Sequence, residues 1–146
     1  MLSQTAEYAL RAMLCLADRP GQPRTVAEIA RQAKVPPGYL AKVMQSLVKA
    51  GLVTSQRGLR GGFTLRREPS AVTVLEVVDA VDPLRRIDRC PLDRPEHAGR
   101  LCALHRRLDE VIAELQDSFR QTTIGSLLEE DEDSDRRPLC LGKSGP

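Results

Sequence analysis

Gln56-Arg57-Gly58-Leu59-Arg60-Gly61-Gly62-Phe63 is the stretch that decides how this chain reads. Glycine adopts positive φ without a Cβ clash, so such a run reverses the backbone tightly and lets it approach a neighbour closely. Arg57 and Arg60 at its tip supply cations able to follow a phosphate backbone or enter a narrow minor groove. Residues 52–55 and 63–65 flank it with strand-like composition, which predicts a two-stranded wing. Immediately upstream, residues 25–33 and 37–50 are apolar-periodic and joined by the turn Val35-Pro36-Pro37-Gly38. Helix, turn, helix and then a basic glycine-rich hairpin is the order of a winged helix-turn-helix DNA reader. The predicted fold is therefore mainly α, a winged helix-turn-helix with a small two-stranded wing.

Working outward, Ser3 can cap a first helix over residues 3–18, with Ala6, Ala9, Leu10, Met13, Leu14 and Ala17 on one apolar face. Pro20-Gly21 and Pro23 break that pattern. Thr25 and Glu28 have capping-box spacing and open a second helix that carries Ala27, Ile29, Ala30 and Ala33 inward. The third helix buries Leu40, Val43, Met44 and Leu47, has proline at its first position, and ends at Gly51 as a C-cap. A fourth helix over residues 73–81 presents Val74, Val77, Val78 and Val81. Residues 83–100 show no periodicity. From Leu101, the spacing Leu101, Leu104, Leu108, Val111, Leu115, Phe119 steps by threes and fours, implying a long helix with a narrow seam widened by Ile112. Such a C-terminal helix has little of its own chain to pack on, so its simplest partner is its copy in a homodimer. Thr123 to Leu128 adds a short helix. The organisation is residues 1–82 as DNA-binding domain, 83–100 as cysteine-containing loop, 101–128 as dimerisation and terminal helices, and 129–146 as a disordered tail.

Charge places limits on the partner. The chain has 146 residues, 41% hydrophobic, with 22 Lys+Arg against 20 Asp+Glu. A formal net charge of +2 is no argument for nucleic acid by itself. Much of the acid, however, lies in Glu129-Glu130-Asp131-Glu132-Asp133, and without it the body is basic, as a phosphate-binding surface requires. Aromatics make up only 3%, too few for a stacking platform on single strands, so the expected target is duplex DNA. Glu7 and Arg11 interrupt the N-terminal apolar run, which argues against a membrane span or secretory segment and for a cytoplasmic protein. There is no nucleotide-binding glycine motif, no Cys-x-x-Cys and no nucleophile–base arrangement, so an enzyme is not expected.

On the third helix, Tyr39, Lys42, Gln45, Ser46 and Lys49 form one polar stripe. Read with the wing, it is a recognition face. Tyr39, Lys42, Gln45 and Ser46 would meet the major groove, while Arg57 and Arg60 meet phosphates or the minor groove. The order of elements, Tyr39-Leu40, Gly51-Leu52-Val53, the Arg-Gly-x-x-Gly-Gly wing and Thr123-Ile124-Gly125-x-Leu127 resemble the IscR/NsrR-type winged-helix regulators, the family of the iron–sulfur cluster regulator and the nitric-oxide-sensing repressor. The resemblance covers residues 1–128. It implies a homodimeric transcription factor with crossed long helices, an inverted-repeat operator and a minor-groove role for Arg57. Some members read bases through a glutamate early in the recognition helix. Here that position is Ala41, so their operator specificity does not carry over.

The resemblance also gives the cysteines a role. Family members with a cluster carry three cysteines in this loop. Cys90 and Cys102 match the outer two, and Glu96-His97 stands where the middle one belongs. His105 matches the histidine ligand of the iron–sulfur cluster regulator. It lies one helical turn past Cys102, so both can face one point. Glu7 matches an acidic residue that ligates the cluster across the dimer in the nitric-oxide-sensing type. The implied cofactor is an iron–sulfur cluster on Cys90, Cys102, His105 and Glu7. This mixed set suits 2Fe–2S better than 4Fe–4S. Plainer readings stand beside these: Glu7 in an i, i+4 ion pair with Arg11, His105 as a solvated residue, His97 as a residue of a proline-bordered loop with no role, Cys15 as a small core residue, and Cys140 as either an incidental or an exposed reactive tail thiol. Three alternatives keep the DNA module. They are a Cys90–Cys102 disulfide sensor, a zinc site on the same residues, and a cluster-free member controlled by a protein partner.

Overall fold

The side chain of Ser3 accepts the backbone N–H of Ala6 at 3.1 Å and so starts α1, Gln4–Asp18. In the computed structural model, which describes residues 2–133, two further helix starts are complete capping boxes. Thr25 with Glu28 opens α2 (Val26–Ala33). The chain then turns through Lys34, which takes the left-handed conformation, into α3 (Pro37–Lys49), where proline fills the first turn. Gly51, at φ 76°, ends α3 as the spacing requires. β1 (Val53–Gln56) and β2 (Gly62–Leu65) follow, then α4 (Val74–Val81), opened by the Thr73–Glu76 box. α5 spans Ala103–Gln121 and α6 spans Ile124–Asp133.

α1 forms the centre of the packing. Its Ala9, Ala12, Met13 and Leu16 join Ile29, Leu40, Val43, Met44, Leu47, Val77 and Ile124 in one core. On α2 the inward stripe is Val26, Ile29, Ala30 and Ala33, the i, i+3, i+4, i+7 set. Ala27, expected inside, is exposed because at 100° per residue it falls off that stripe. On α4, Val74, Val77 and Val78 are buried as expected and Leu75 joins them, while Val81 is only half-buried.

The wing is antiparallel, pairing Val53 with Leu65 and Gln56 with Gly62. A further rung extends it. Arg24 donates its N–H to Phe63 O at 3.0 Å and accepts from Phe63 N at 2.8 Å. Gly62, at φ 145°, is what permits this, since a Cβ there would sit 2.6 Å from Arg24 O. The close approach expected of the glycines thus serves this chain's own backbone. Arg24 is buried, paired with Asp18 at 3.6 Å, and donates to the Gln32 side-chain amide oxygen Oε1.

α6 returns to the winged domain. Val74 donates its N–H to Thr122 O, and Ile124 donates to Val72 O, each at 2.9 Å. Ile124 is fully buried, and a Cβ on Gly125 would lie 2.9 Å from Ser70 N. This explains physically why Thr123-Ile124-Gly125 is a recognisable signature. The acidic run, read as the start of a disordered tail at 129, is instead the end of α6 as far as Asp133. Docking of Ile124 offsets the nucleation cost, and the helix propagates past it. Residues 134–146, including Cys140 and Arg136-Arg137-Pro138, lie outside the described residues. Among the described residues, no helix is long and apolar enough to cross a membrane.

Candidate metal centre and nucleic-acid interface

Cys102 is the N-cap residue of α5, although its side chain makes no capping hydrogen bond. His105 follows one turn later, and its Nδ1 is 3.0 Å from Cys102 Sγ. Cys90 comes from the loop before α5, only 4% exposed, with its Sγ 3.7 Å from the same His105 Nδ1. The ligand atoms of Cys90, Cys102 and His105 all lie within 4.8 Å of one another. Burial opposes ionisation of Cys90. The N–H groups of Leu92 and Cys102, the Cys102 thiol and the Arg94 charge outweigh it, and together they bring the thiol below its ordinary value. A sulfur held as thiolate is the form that binds metal.

Two staples hold the loop's first half on α5. Asp109 accepts from Arg86 Nε at 2.7 Å and Nη2 at 2.6 Å, and from the backbone N–H of Ile87 at 2.8 Å. The Arg86 guanidinium and the Ile87 N–H hold the Asp109 carboxyl at about 2. Gln116 donates to Leu84 O at 2.6 Å. Nothing in local spacing pairs residue 86 with 109 or 84 with 116, so sequence reasoning missed both. Beyond the staples, Pro95–His97 forms a 3-10 turn that brings His97 Nδ1 to 3.4 Å from Cys90 Sγ.

Two thiols and an imidazole around one point, with a second imidazole at its edge, form a donor set for zinc or for mixed-ligand iron–sulfur chemistry. Glu7 is not part of this group in the subunit. It lies on α1 and pairs with Arg11 at 2.5 Å, as the i, i+4 spacing allowed. Cys15 is fully buried in the α1 core.

The expected DNA-facing residues divide into two kinds. Lys42, Gln45, Arg57 and Arg60 are exposed, and among the described residues no ion pair engages either wing arginine. Tyr39 and Ser46 are engaged within the chain. Ser46 Oγ donates to Lys42 O at 3.3 Å. Tyr39 is 41% exposed, with its hydroxyl 2.5 Å from Thr5 Oγ1 and its ring edge-on to Tyr8 at 5.3 Å. Tyr39 thus ties the start of α3 to the start of α1.

Comparison with known proteins agrees with this architecture. A family model described as "Rrf2: Iron-dependent Transcriptional regulator" matches residues 2–130. An HTH-type transcriptional regulator of Aquifex aeolicus is 36% identical, with 88% of this chain and 91% of the relative covered. The HTH-type transcriptional regulator IscR of Vibrio cholerae is 31% identical over 98% of this chain and 85% of its own. Among solved structures, T. potens IscR superposes with a TM-score of 0.77 at 24% identity, covering 94% of this chain and 92% of that one. CymR, the global cysteine regulator of B. subtilis, gives 0.73 at 25% identity, covering 89% and 97%. With the winged fold in place and the family model spanning nearly every described residue, the chain belongs to the Rrf2 family of transcriptional regulators and is not an enzyme.

Proposed function

We propose that this protein is a homodimeric, duplex-DNA-binding regulator whose grip on an inverted-repeat operator depends on an iron–sulfur centre at Cys90, Cys102 and His105. The observation that carries the reading is the convergence of those three donors within 4.8 Å at the N-terminus of α5. That helix also exposes Leu104, Leu108 and Val111, an apolar row suited to a second copy. The thiolate–imidazole mixture suits 2Fe–2S better than 4Fe–4S. When bound, such a centre supplies iron open to oxidation and to small reactive ligands. A fourth donor comes either from Glu7 of the partner subunit or from this chain itself.

The residues of the chain then do the coupling. Arg86–Asp109 and Gln116–Leu84 hold the first part of the loop on α5 whatever happens at the thiols. Releasing Cys90 from Cys102 and His105 frees the segment between Ile87 and α5. It thereby changes how α5 meets its copy and how far apart the two α3 helices stand. A two-site reader loses affinity when that spacing no longer matches successive major grooves. Coupling of about 1–3 kcal/mol would change affinity roughly five- to 150-fold.

A single zinc ion is the second reading, favoured by one observation. Bonds of about 2.3 Å to sulfur and about 2.05 Å to nitrogen, at the tetrahedral angle, set the two atoms about 3.5 Å apart. The sulfur–nitrogen separations here are 3.0, 3.4 and 3.7 Å. Anaerobic purification with iron, sulfide and zinc analysis separates the readings, because a cluster is coloured and zinc is not. DNA titration of holo and apo protein tests the switch, and equal affinity in both forms would remove the regulatory role.

A further inference from the structure

We propose that His97 is a metal-ligating residue, the fourth donor of a Cys₂His₂ set completed within one subunit. The inference rests on the reading that Cys90, Cys102 and His105 hold a metal centre. His97 Nδ1 is 3.4 Å from Cys90 Sγ, inside the range set by the other sulfur–nitrogen separations at the site. Its approach is built into the backbone. The turn closes with His97 N donating to Arg94 O at 2.9 Å, Ala98 N to Pro95 O at 3.2 Å and Arg100 N to His97 O at 3.1 Å. Arg100 Nε also donates to Glu96 O at 3.2 Å. Held so, the turn leaves Glu96 exposed and His97 half-buried, although Glu96 is the adjacent carboxylate.

The surroundings favour ligation over a plain hydrogen bond to sulfur. His97 and Cys90 together line a cavity of about 380 Å³, with Arg89 and Arg94 at its wall. A centre seated on Cys90 would border that opening, which His97 also lines. In this arrangement two thiolates and two neutral imidazoles come from one chain, and Glu7 keeps its ion pair with Arg11.

The test reconstitutes apo protein anaerobically with ferrous iron and sulfide. It compares wild type with His97→Ala, His97→Cys, Glu7→Ala and Cys90→Ser. The readouts are iron per subunit, visible absorption, release of iron to a chelator, and nitrogen couplings in the pulsed EPR spectrum of the reduced centre. Wild type is expected to show two imidazole couplings and His97→Ala one, with iron released at least roughly tenfold faster. His97→Cys is expected to keep its iron with altered absorption, while Glu7→Ala matches wild type. Should His97→Ala fail to fold by circular dichroism, retention of iron by His97→Cys with one nitrogen coupling lost still carries the proposal. Both couplings and wild-type release in His97→Ala or His97→Cys would overturn it, as would loss of iron in Glu7→Ala alone. Wild type that takes up no iron, or Cys90→Ser that keeps a full complement, would sink the underlying iron–sulfur reading and this proposal with it.

Discussion

α1 and α5 are both long amphipathic helices, and they meet opposite fates. α1, with 15 residues, buries Ala6, Ala9, Ala12, Met13, Leu14, Cys15, Leu16 and Ala17. α5, with 19 residues, buries none, and leaves Leu104 at 61%, Leu108 at 46% and Val111 at 47% exposure. Phe119, near its far end, does reach the patch formed by Ala6, Val74 and Val78. The winged half, with Ile124 of α6 docked on it, therefore completes a core within the chain. The outer half of α5 carries an apolar seam with no counterpart among the described residues, as a surface made for a second chain would.

The sharpest way to break this contrast is a charge on the unpartnered seam. Leu108→Glu should cost the proposed dimer roughly 3–5 kcal/mol, because a carboxylate would be buried without a cation. The winged half should keep its helicity. Sedimentation of the variant beside its circular dichroism checks this, and an unchanged dimer would place the interface elsewhere. Next is the opposite region. Met44→Ala, in the fully buried core, should lose about 2–5 kcal/mol in urea unfolding without changing the association state. A loss well below 1 kcal/mol would mean the winged core is less tightly packed than α1 suggests.

A smaller effect concerns the wing. Arg57→Ala with Arg60→Ala should weaken operator binding and lower the slope of log affinity against log salt by roughly 2, about one per phosphate contact removed. Fluorescence anisotropy across a salt series measures it, and an unchanged slope would remove the wing from the interface. The smallest effect lies at the join of the two regions. Asp109 is held at about 2 in the folded chain against an ordinary 3.8. Its contribution is therefore complete above the ordinary value and is lost as pH falls through about 2. Asp109→Asn should be less stable than wild type at neutral pH, with the gap closing between roughly pH 4 and pH 2. Thermal melts over that range decide it, and a gap independent of pH would show that the carboxylate's charge is not what matters.

Much of the winged half was legible because its signals are local. Thr25–Glu28 spacing is a capping box wherever it folds, and the 3-4-3 steps of Leu40, Val43, Met44 and Leu47 define one helix face. Gly51 sits where a left-handed residue must end that helix. The departures came from contacts between distant residues. Phe63 pairs with Arg24, Tyr39 with Thr5, and the acidic run is carried into α6 by a docked Ile124. Of the metal-centre candidates, Cys102 and His105 were picked out through resemblance, and helical spacing added that the two can face one point. Cys90 was readable through resemblance alone, with no helical spacing beside it, because a loop has no period to exploit.

By itself, then, the sequence determined which segments are helices, roughly where they start and where all but the last of them stop, that a glycine–arginine wing follows the third helix, and that the last long helix carries a seam. Each follows from interactions spanning about four residues, which capping, periodicity and turn chemistry encode directly. Only the tertiary structure decided that Gly62 is glycine to admit Arg24, that Arg86 and Ile87 fasten the cysteine loop to Asp109, and that His97 rather than Glu96 faces Cys90. Those outcomes depend on how the chain closes loops between residues far apart in sequence, and no local pattern records which distant backbone or side chain will be waiting there.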